Sequence, residues 1–138
     1  MNLCAIPPEE VISIWPEIEP GLEDMLENHT LGRWSAADVL VNLQTGEWLL
    51  FVVSEAEKII ASLVCSILHG RQRILEVGMC WGTSGNSWIG EVNGAFEQIA
   101  RELGCDQVAL DGRPGWRNWA RKYGYQLNSV RYTRQING

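Results

Sequence analysis

No apolar run in this sequence is long enough to cross a bilayer, and no two of its four cysteines form a C-x-x-C pair. The first absence argues against a membrane-spanning helix. The second, with the wide spacing of Cys4, Cys65, Cys80 and Cys105, argues against a zinc site or a disulfide frame. These cysteines lie mostly in apolar segments and read as small buried hydrophobes in a reducing compartment. Histidine is scarce: His29 and His69 are far apart and offer no metal-ligand spacing, so no metal is expected. The nucleophile elbow Gly-x-Ser-x-Gly is missing, which removes a common serine-hydrolase signature. The start, Met1-Asn2-Leu3-Cys4, has neither the basic residues nor the apolar stretch of an export signal, so a cytoplasmic protein is expected. Repeats and low-complexity tracts are also lacking. What is there is 138 residues, 46% of them apolar, which suits one domain with one core over residues 1–138.

Bases are nearly missing from the first 57 positions, where eleven acids face Arg33 alone. Residues 58–138 reverse the balance with ten bases against six acids, and from Arg113 onward six bases meet no acid. The net charge of −6 hides this division. An anionic ligand or partner is drawn to the C-terminal half, and the opposed halves also offer a route to a homo-oligomer. Arg113, Arg117 and Arg121 recur every four residues, so on a helix they form one stripe with Lys122 beside it. Guanidinium forks suit the phosphates of a coenzyme or nucleic acid, or the acidic surface of a protein partner. The plain alternative is a solvated helix face. Seven tryptophans are many for this length. Trp116 and Trp119 beside the arginine stripe offer a contact patch, whereas most of the seven are expected in the core.

Pro7-Pro8-Glu9-Glu10 is a helix-start signature, with Val11, Ile14, Trp15 and Ile18 following at helical spacing. Pro16 and Pro20 are expected to kink or restart that helix. Ser35-Ala36-Ala37-Asp38 reads as a capping box opening a second helix, closed by Gly46. Residues 1–6 form a candidate first strand. Residues 48–53 and 59–68 read as a hairpin around the polar turn 54–57, and residues 74–81 as the next antiparallel strand. Strict alternation in this strand puts Leu75, Val77 and Met79 on one face and Glu76, Gly78 and Cys80 on the other. Ser87 is a plausible N-cap for a helix carrying Trp88, Val92, Phe96, Ile99 and Leu103 on its apolar stripe, stopped by Gly104. A short strand at 107–110, a short helix at 116–123 and a last strand or hairpin over 125–136 complete the order.

The most informative segment runs from residue 75 to 125: strand, the small-residue loop 82–87, helix and second strand, followed by Gly112-Arg113-Pro114-Gly115-Trp116 and Lys122-Tyr123-Gly124-Tyr125. A strand that ends in Gly and Ser and opens a helix presents free N–H groups at the positive helix end, a ready place for phosphate. Gly85, Asn86 and Ser87 are the candidate donors. Glu76 is the only ionisable residue of its strand, and a carboxylate on a central strand suits proton abstraction. A structural carboxylate, paired with Arg73 or facing solvent at a strand edge, is the alternative.

In this order of elements the chain resembles the GCN5-related N-acetyltransferase superfamily over nearly its whole length. Its final motifs, Gly112-Arg113-Pro114-Gly115-Trp116 with Lys122-Tyr123-Gly124-Tyr125, are also similar to those of acetyltransferase-like proteins of tailed phages and prophages. The resemblance implies an α/β (α+β) fold: a mixed, mostly antiparallel central sheet flanked by helices on both faces, with its fourth and fifth strands splayed apart. It further implies that acetyl-CoA lies in that gap, its pantetheine arm along the strand carrying Met79 and Trp81. The pyrophosphate would rest on Ser84, Gly85, Asn86 and Ser87, with Arg117 and Arg121 as further phosphate ligands. The superfamily's loop pattern Gln/Arg-x-x-Gly-x-Gly/Ala falls on Ser84-Gly85-Asn86-Ser87-Trp88-Ile89, where neither the leading Gln/Arg nor the central Gly occurs. Its frequent acid, a Tyr four residues before the closing Gly, is Ala120 here, which leaves Tyr123 or Tyr125 as the acid and Glu76 as the base.

Two functions follow. One is an acetyl-CoA-dependent N-acyltransferase acting on a small-molecule or protein amine. The other is a binding or assembly protein on the same fold, in a host cytoplasm or a virion if phage-encoded, that meets its partner through the basic, Trp-rich C-terminal surface. The first requires strands that part; strands paired along their length, or an indole in the gap, argue for the second.

Overall fold

The computed structural model describes residues 1–29, 33–83, 87–111, 116–134 and 136. Five strands form one sheet in the order β1-β2-β3-β4-β5, with β1 Asn2–Ile6, β2 Leu49–Glu55, β3 Lys58–Leu68, β4 Ile74–Gly82 and β5 Gln107–Leu110. Successive pairs are antiparallel except β4 and β5, which run parallel. Helices α1 Val11–His29 and α2 Ala36–Gln44 precede β2; α3 Ile89–Glu102 crosses from β4 to β5, and α4 Arg117–Lys122 follows β5. The mixed, mostly antiparallel sheet with helices on both faces is the architecture expected from the sequence.

The two faces carry separate cores. One joins Phe51, Val53, Leu63, Leu75, Val77 and Cys80 to Ile89, Val92, Phe96 and Ala100 of α3. The other joins Leu50, Val52, Val64 and Met79 to Val11, Trp15, Ile18 and Leu22 of α1 and Val39 and Leu43 of α2. All seven tryptophans pack against one core or the other: Trp88, Trp116 and Trp119 on the α3 face, and Trp15, Trp34, Trp48 and Trp81 on the α1 face. Of the cysteines, Cys65 and Cys80 are buried and Cys105 half-buried, while Cys4 is exposed on the edge strand β1.

Three expectations need correction. Pro16 and Pro20 do not restart the first helix; α1 runs through both after a 3-10 turn at Pro8–Glu10. The two prolines are exposed, four residues apart on the outer face, so water can reach the carbonyls whose bonds they remove. The opposite face, Val11 to Leu26, stays buried and holds the helix on the sheet. Ser87 does not cap α3: Trp88 stands at the cap position, with no side-chain cap bond. Residues 125–134 form no strand, and Leu127, Val130 and Tyr132 are exposed. Alternation alone does not make a strand where no ladder partner lies alongside.

Other local signals form as read. Ser35 Oγ accepts from the Asp38 N–H (3.2 Å) while Asp38 Oδ2 accepts from the Ser35 N–H (2.9 Å), completing the capping box. The β2–β3 turn places both Ala56 and Glu57 at positive φ, 52° and 63°, the geometry of a two-residue hairpin turn that favours Asn-Gly. Replacing Ala56 by Asn and Glu57 by Gly should raise the unfolding free energy by about 1 kcal/mol. The check is a later urea midpoint at unchanged slope.

Candidate functional site

The site is made by β4. Its register against β3 steps from Cys65↔Val77 to Val64↔Met79, so Gly78 is an extra residue, a β-bulge. The bulge resets alternation. Leu75, Val77 and Cys80 face α3, whereas Met79 and Trp81 face α1, which corrects the strict alternation expected from sequence. Glu76, lying between Leu75 and Val77, faces the α1 side as well.

Pairing of β4 with β5 ends at the same place. Four pairs, Ile74↔Gln107 to Val77↔Leu110, hold the strands, and the last bond runs from the Asp111 N–H to the Val77 carbonyl (3.0 Å). At the other end Asp106 Oδ2 accepts from the Arg73 N–H (2.9 Å) and the Asp106 N–H donates back to the Arg73 carbonyl (2.7 Å). Beyond Val77, β4 continues to Gly82 along β3, and no described strand accompanies it on the outer side. The two strands are therefore clipped at the base, and their pairing stops at Val77 and Leu110, where β5 itself ends.

The opening is lined with aromatic side chains. Val77, Cys80 and Leu110, with Trp88 and Phe96 on the α3 side and Trp116, Trp119 and Tyr125 from the C-terminal segment, enclose a cavity of about 20 Å³. That is room for one water molecule, while ligand sites span on the order of 300–1,000 Å³. Trp116 and Trp119 lie 5.3 Å apart between ring centroids, and both are half-buried. The helix that carries Trp119 has six residues, none of them buried.

Trp88 differs from its neighbours. It is 8% exposed, and its Nε1–H is buried without a hydrogen-bond partner among the described residues. A buried donor left unpaired costs about 1–3 kcal/mol. The indole lies over Gly82, where an added Cβ would stand 2.9 Å from Nε1 and also 2.9 Å from the Ile60 carbonyl oxygen. Only glycine fits that approach. At the same end of the strand, on its other face, the Trp81 indole rests on Gly21 of α1, where a Cβ would meet Cδ1 at 2.6 Å.

The remaining candidates separate as follows. Glu76 is half-buried, its backbone flanked by Ser66 of β3 and Ala109 of β5, and the Arg73 partnership does not form: the ion pair among the described residues is Arg101–Glu97 at 2.7 Å. Tyr125 lines the opening on the α3 side, so it and Glu76 stand on opposite faces of the sheet. Tyr123 is 40% exposed, with its hydroxyl 3.3 Å from where a Cβ would stand on Gly90, in the first turn of α3. Met79 is a core residue of the α1 face, so it and Trp81 offer the opening backbone rather than side chain. Arg117 and Arg121 lie exposed on α4 and Ser87 lies exposed before α3. Ser84, Gly85 and Asn86 fall outside the described residues, as do Gly112, Arg113, Pro114 and Gly115. Sequence reading missed Trp88 as a site residue. Its signal was an indole directly after the small-residue loop, opposite a strand-ending glycine.

No protein-family model matches the chain, and no curated protein sequence matches it. Solved structures do. An aminoglycoside acetyltransferase from an uncultured soil metagenomic sample, in complex with sisomicin, superposes with a TM-score of 0.73 at 13% identity, covering 99% of this chain and 96% of that one. A probable acetyltransferase gives 0.73 at 12% identity with full coverage of both chains, 100% and 100%. Ribosomal-protein-alanine N-acetyltransferase from Brucella melitensis biovar Abortus 2308 gives 0.68 at 10% identity over 99% and 100%. At these identities the likeness establishes the fold: the chain has the GCN5-related N-acetyltransferase fold. No helix among the described residues is long and apolar enough to cross a membrane.

Burial holds the Tyr125 phenol above its ordinary value of 10.0. The folded protein keeps this proton at a pH where the unfolded chain has lost it, so the contribution is complete below pH 10 and is lost as pH rises above it. The Cys65 thiol, pushed up by burial first and by Cys80 second, acts in the same direction. The urea midpoint should therefore fall as pH rises past ~10, and Tyr125→Phe should remove part of that fall.

Proposed function

We propose that the protein is an N-acyltransferase that takes an acetyl group from acetyl-CoA and passes it to an amine. The observation that carries this reading is the edge of β4 left without an outer partner strand after Val77, in a chain whose fold matches solved acetyltransferases. Fold alone does not certify a reaction. The fit of the ligand to this chain is supported by the unaccompanied edge of β4, by the uncapped first turn of α3 and by the orphaned donor of Trp88. The volume does not fit as the side chains stand, so Trp116 and Trp119 must swing aside. Both are half-buried, and an indole that lost its burial entirely would cost on the order of 3–5 kcal/mol, so each must be re-covered in part as it moves.

Bound acetyl-CoA would supply an acetyl group activated as a thioester. Glu76 would receive the proton that the attacking amine loses, directly or through a water. Tyr125, a phenol that carries its proton at neutral pH, would supply the proton the departing sulfur needs. The exposed Arg117 and Arg121 and the segment Ser84, Gly85, Asn86 and Ser87 would hold the coenzyme's phosphates. Tyr123, over the first turn of α3, suits contact with that same end of the ligand better than proton transfer. An amine acceptor is in keeping with the sisomicin-bound neighbour and with the acids crowded into the first 57 residues.

A second reading, a binding or assembly protein without the chemistry, is favoured by one observation: indoles fill the opening down to about 20 Å³. Melting in the presence of acetyl-CoA separates the two. The transferase reading expects a rise equivalent to about 2.7 kcal/mol at a hundredfold excess over Kd. A red shift of tryptophan emission should accompany it and vanish when Trp116 and Trp119 are both replaced by Phe. Arg117→Glu with Arg121→Glu should abolish capture while leaving the ligand-free melt unchanged. A folded sample that neither shifts its melt nor acetylates any amine panel, sisomicin included, leaves the second reading.

A further inference from the structure

The orphaned indole of Trp88 is explained by none of the roles above. Indole Nε1–H donates and cannot accept. Its partner must therefore be a group with a lone pair, brought into a lining that is mostly apolar, Val77, Cys80, Val92, Phe96 and Leu110, and whose other polar side chains, Asn93 and Tyr125, are uncharged at neutral pH. A phosphate or carboxylate would be desolvated there with no cation to meet it. An uncharged carbonyl oxygen on a slender, largely apolar chain satisfies both demands. Such a chain, rich in amide carbonyls and ending in a thioester carbonyl, is the acyl-pantetheine arm of an acyl-CoA.

We infer that Trp88 is a ligand-binding residue whose Nε1–H donates a hydrogen bond to a carbonyl oxygen of an acyl-pantetheine arm lodged between β4 and β5. The inference rests on the acyltransferase reading and goes beyond it, because it assigns a side-chain donor where backbone alone had been invoked. Two features fix the indole at the end of β4 that β5 does not reach. Gly82 lacks the Cβ that would push the indole away, and the Ile60 carbonyl leaves no room for any other residue at that position. Trp88 directly precedes Ile89, the first residue of α3, so the helix start and the indole are fixed together.

The test uses the full-length, 15N-labelled protein and follows its indole N–H resonances, with that of Trp88 assigned by through-bond experiments and checked against Trp88→Phe. Acetyl-CoA, and pantetheine alone at higher concentration, should move the Trp88 indole proton downfield and slow its exchange with solvent. Adenosine 3′,5′-bisphosphate, which lacks the arm, should leave it in place. Trp88→Phe should fold and bind acetyl-CoA about tenfold more weakly, the loss of one hydrogen bond. Acetyl-CoA that raises the melting point while the Trp88 resonance stays still, or that binds Trp88→Phe as tightly as wild type, overturns the inference and leaves the acyltransferase reading intact. No acetyl-CoA binding by wild type overturns both. If Trp88→Phe fails to fold, the wild-type resonance decides alone. A water on Nε1 would show as a cross-peak to solvent that persists unchanged when acetyl-CoA saturates the protein, and that too overturns the inference.

Discussion

The bulge at Gly78 is the constraint on which the rest of the structure depends. An extra residue in one strand bends it and raises its local twist. Here the insertion falls where β4 has β3 on one side and the last bonded residue of β5 on the other. The antiparallel partner follows the bend as far as Gly82, because β3 is long and its pairing resumes at Met79. The parallel partner has four residues and does not follow. A reciprocal pair of bonds between Arg73 and Asp106 ties the far end, so only beyond Val77 is β4 left without an outer partner strand, and under the proposed reading that unaccompanied edge is one wall of a wedge. Gly78 is not needed there for its conformational freedom: its φ is not in the left-handed region, and a Cβ would meet only the Val64 carbonyl at an ordinary 3.9 Å.

A wedge cut into an apolar sheet does not stay empty in water, since its walls lose contact atoms on one side. This chain fills the wedge with Trp116, Trp119 and Tyr125, drawn from the segment that packs least tightly. The filling differs in kind from strand pairing. Zipping the strands would close the wedge with backbone bonds that a ligand cannot easily replace, whereas half-buried indoles close it with burial that, under the proposed reading, a ligand can supply in their stead. Under the proposed reading, whatever burial the plug gives up on opening is subtracted from the apparent affinity, about tenfold for each 1.4 kcal/mol.

The parts of the fold legible in the sequence were those whose cause is local. Ser35 with Asp38 names its own helix start, because each group satisfies the other's backbone donor, and Val108, Ala109 and Leu110 between Asp106 and Asp111 leave little choice but a short strand. Pro16 and Pro20 misled, because local propensity counts the lost bonds and not the buried stripe from Val11 to Leu26 that outweighs them. The residues after Tyr125 misled for the complementary reason: their alternation is real, and no partner strand gives it effect. The bulge was nearly legible. An isolated glycine inside a strand pattern is its ordinary mark, and reading Gly78 that way would have placed Met79, Trp81 and Glu76 on one face. Tyr125 and Glu76 could be named from chemistry, but which side of the sheet each occupies was decided by that single inserted residue.

The same division of faces gives the charge asymmetry a spatial meaning. The acid-rich first third of the chain supplies α1 and α2, which cover the face bearing Glu76, Met79 and Trp81. The acid-free residues from Arg113 onward supply α4 and the tail, beside the face bearing Cys80, Trp88 and Tyr125. Complementary fields steer an anion and a cation toward opposite sides of one structure, and the steering weakens with salt. Between the two sides the sheet is continuous except at the wedge. Under the proposed reading a polyanionic coenzyme approaches from the α4 side and a cationic amine from the α1 side. The two can meet only where β4 and β5 have parted, with the base on the amine's face and the proton donor on the face of the leaving sulfur.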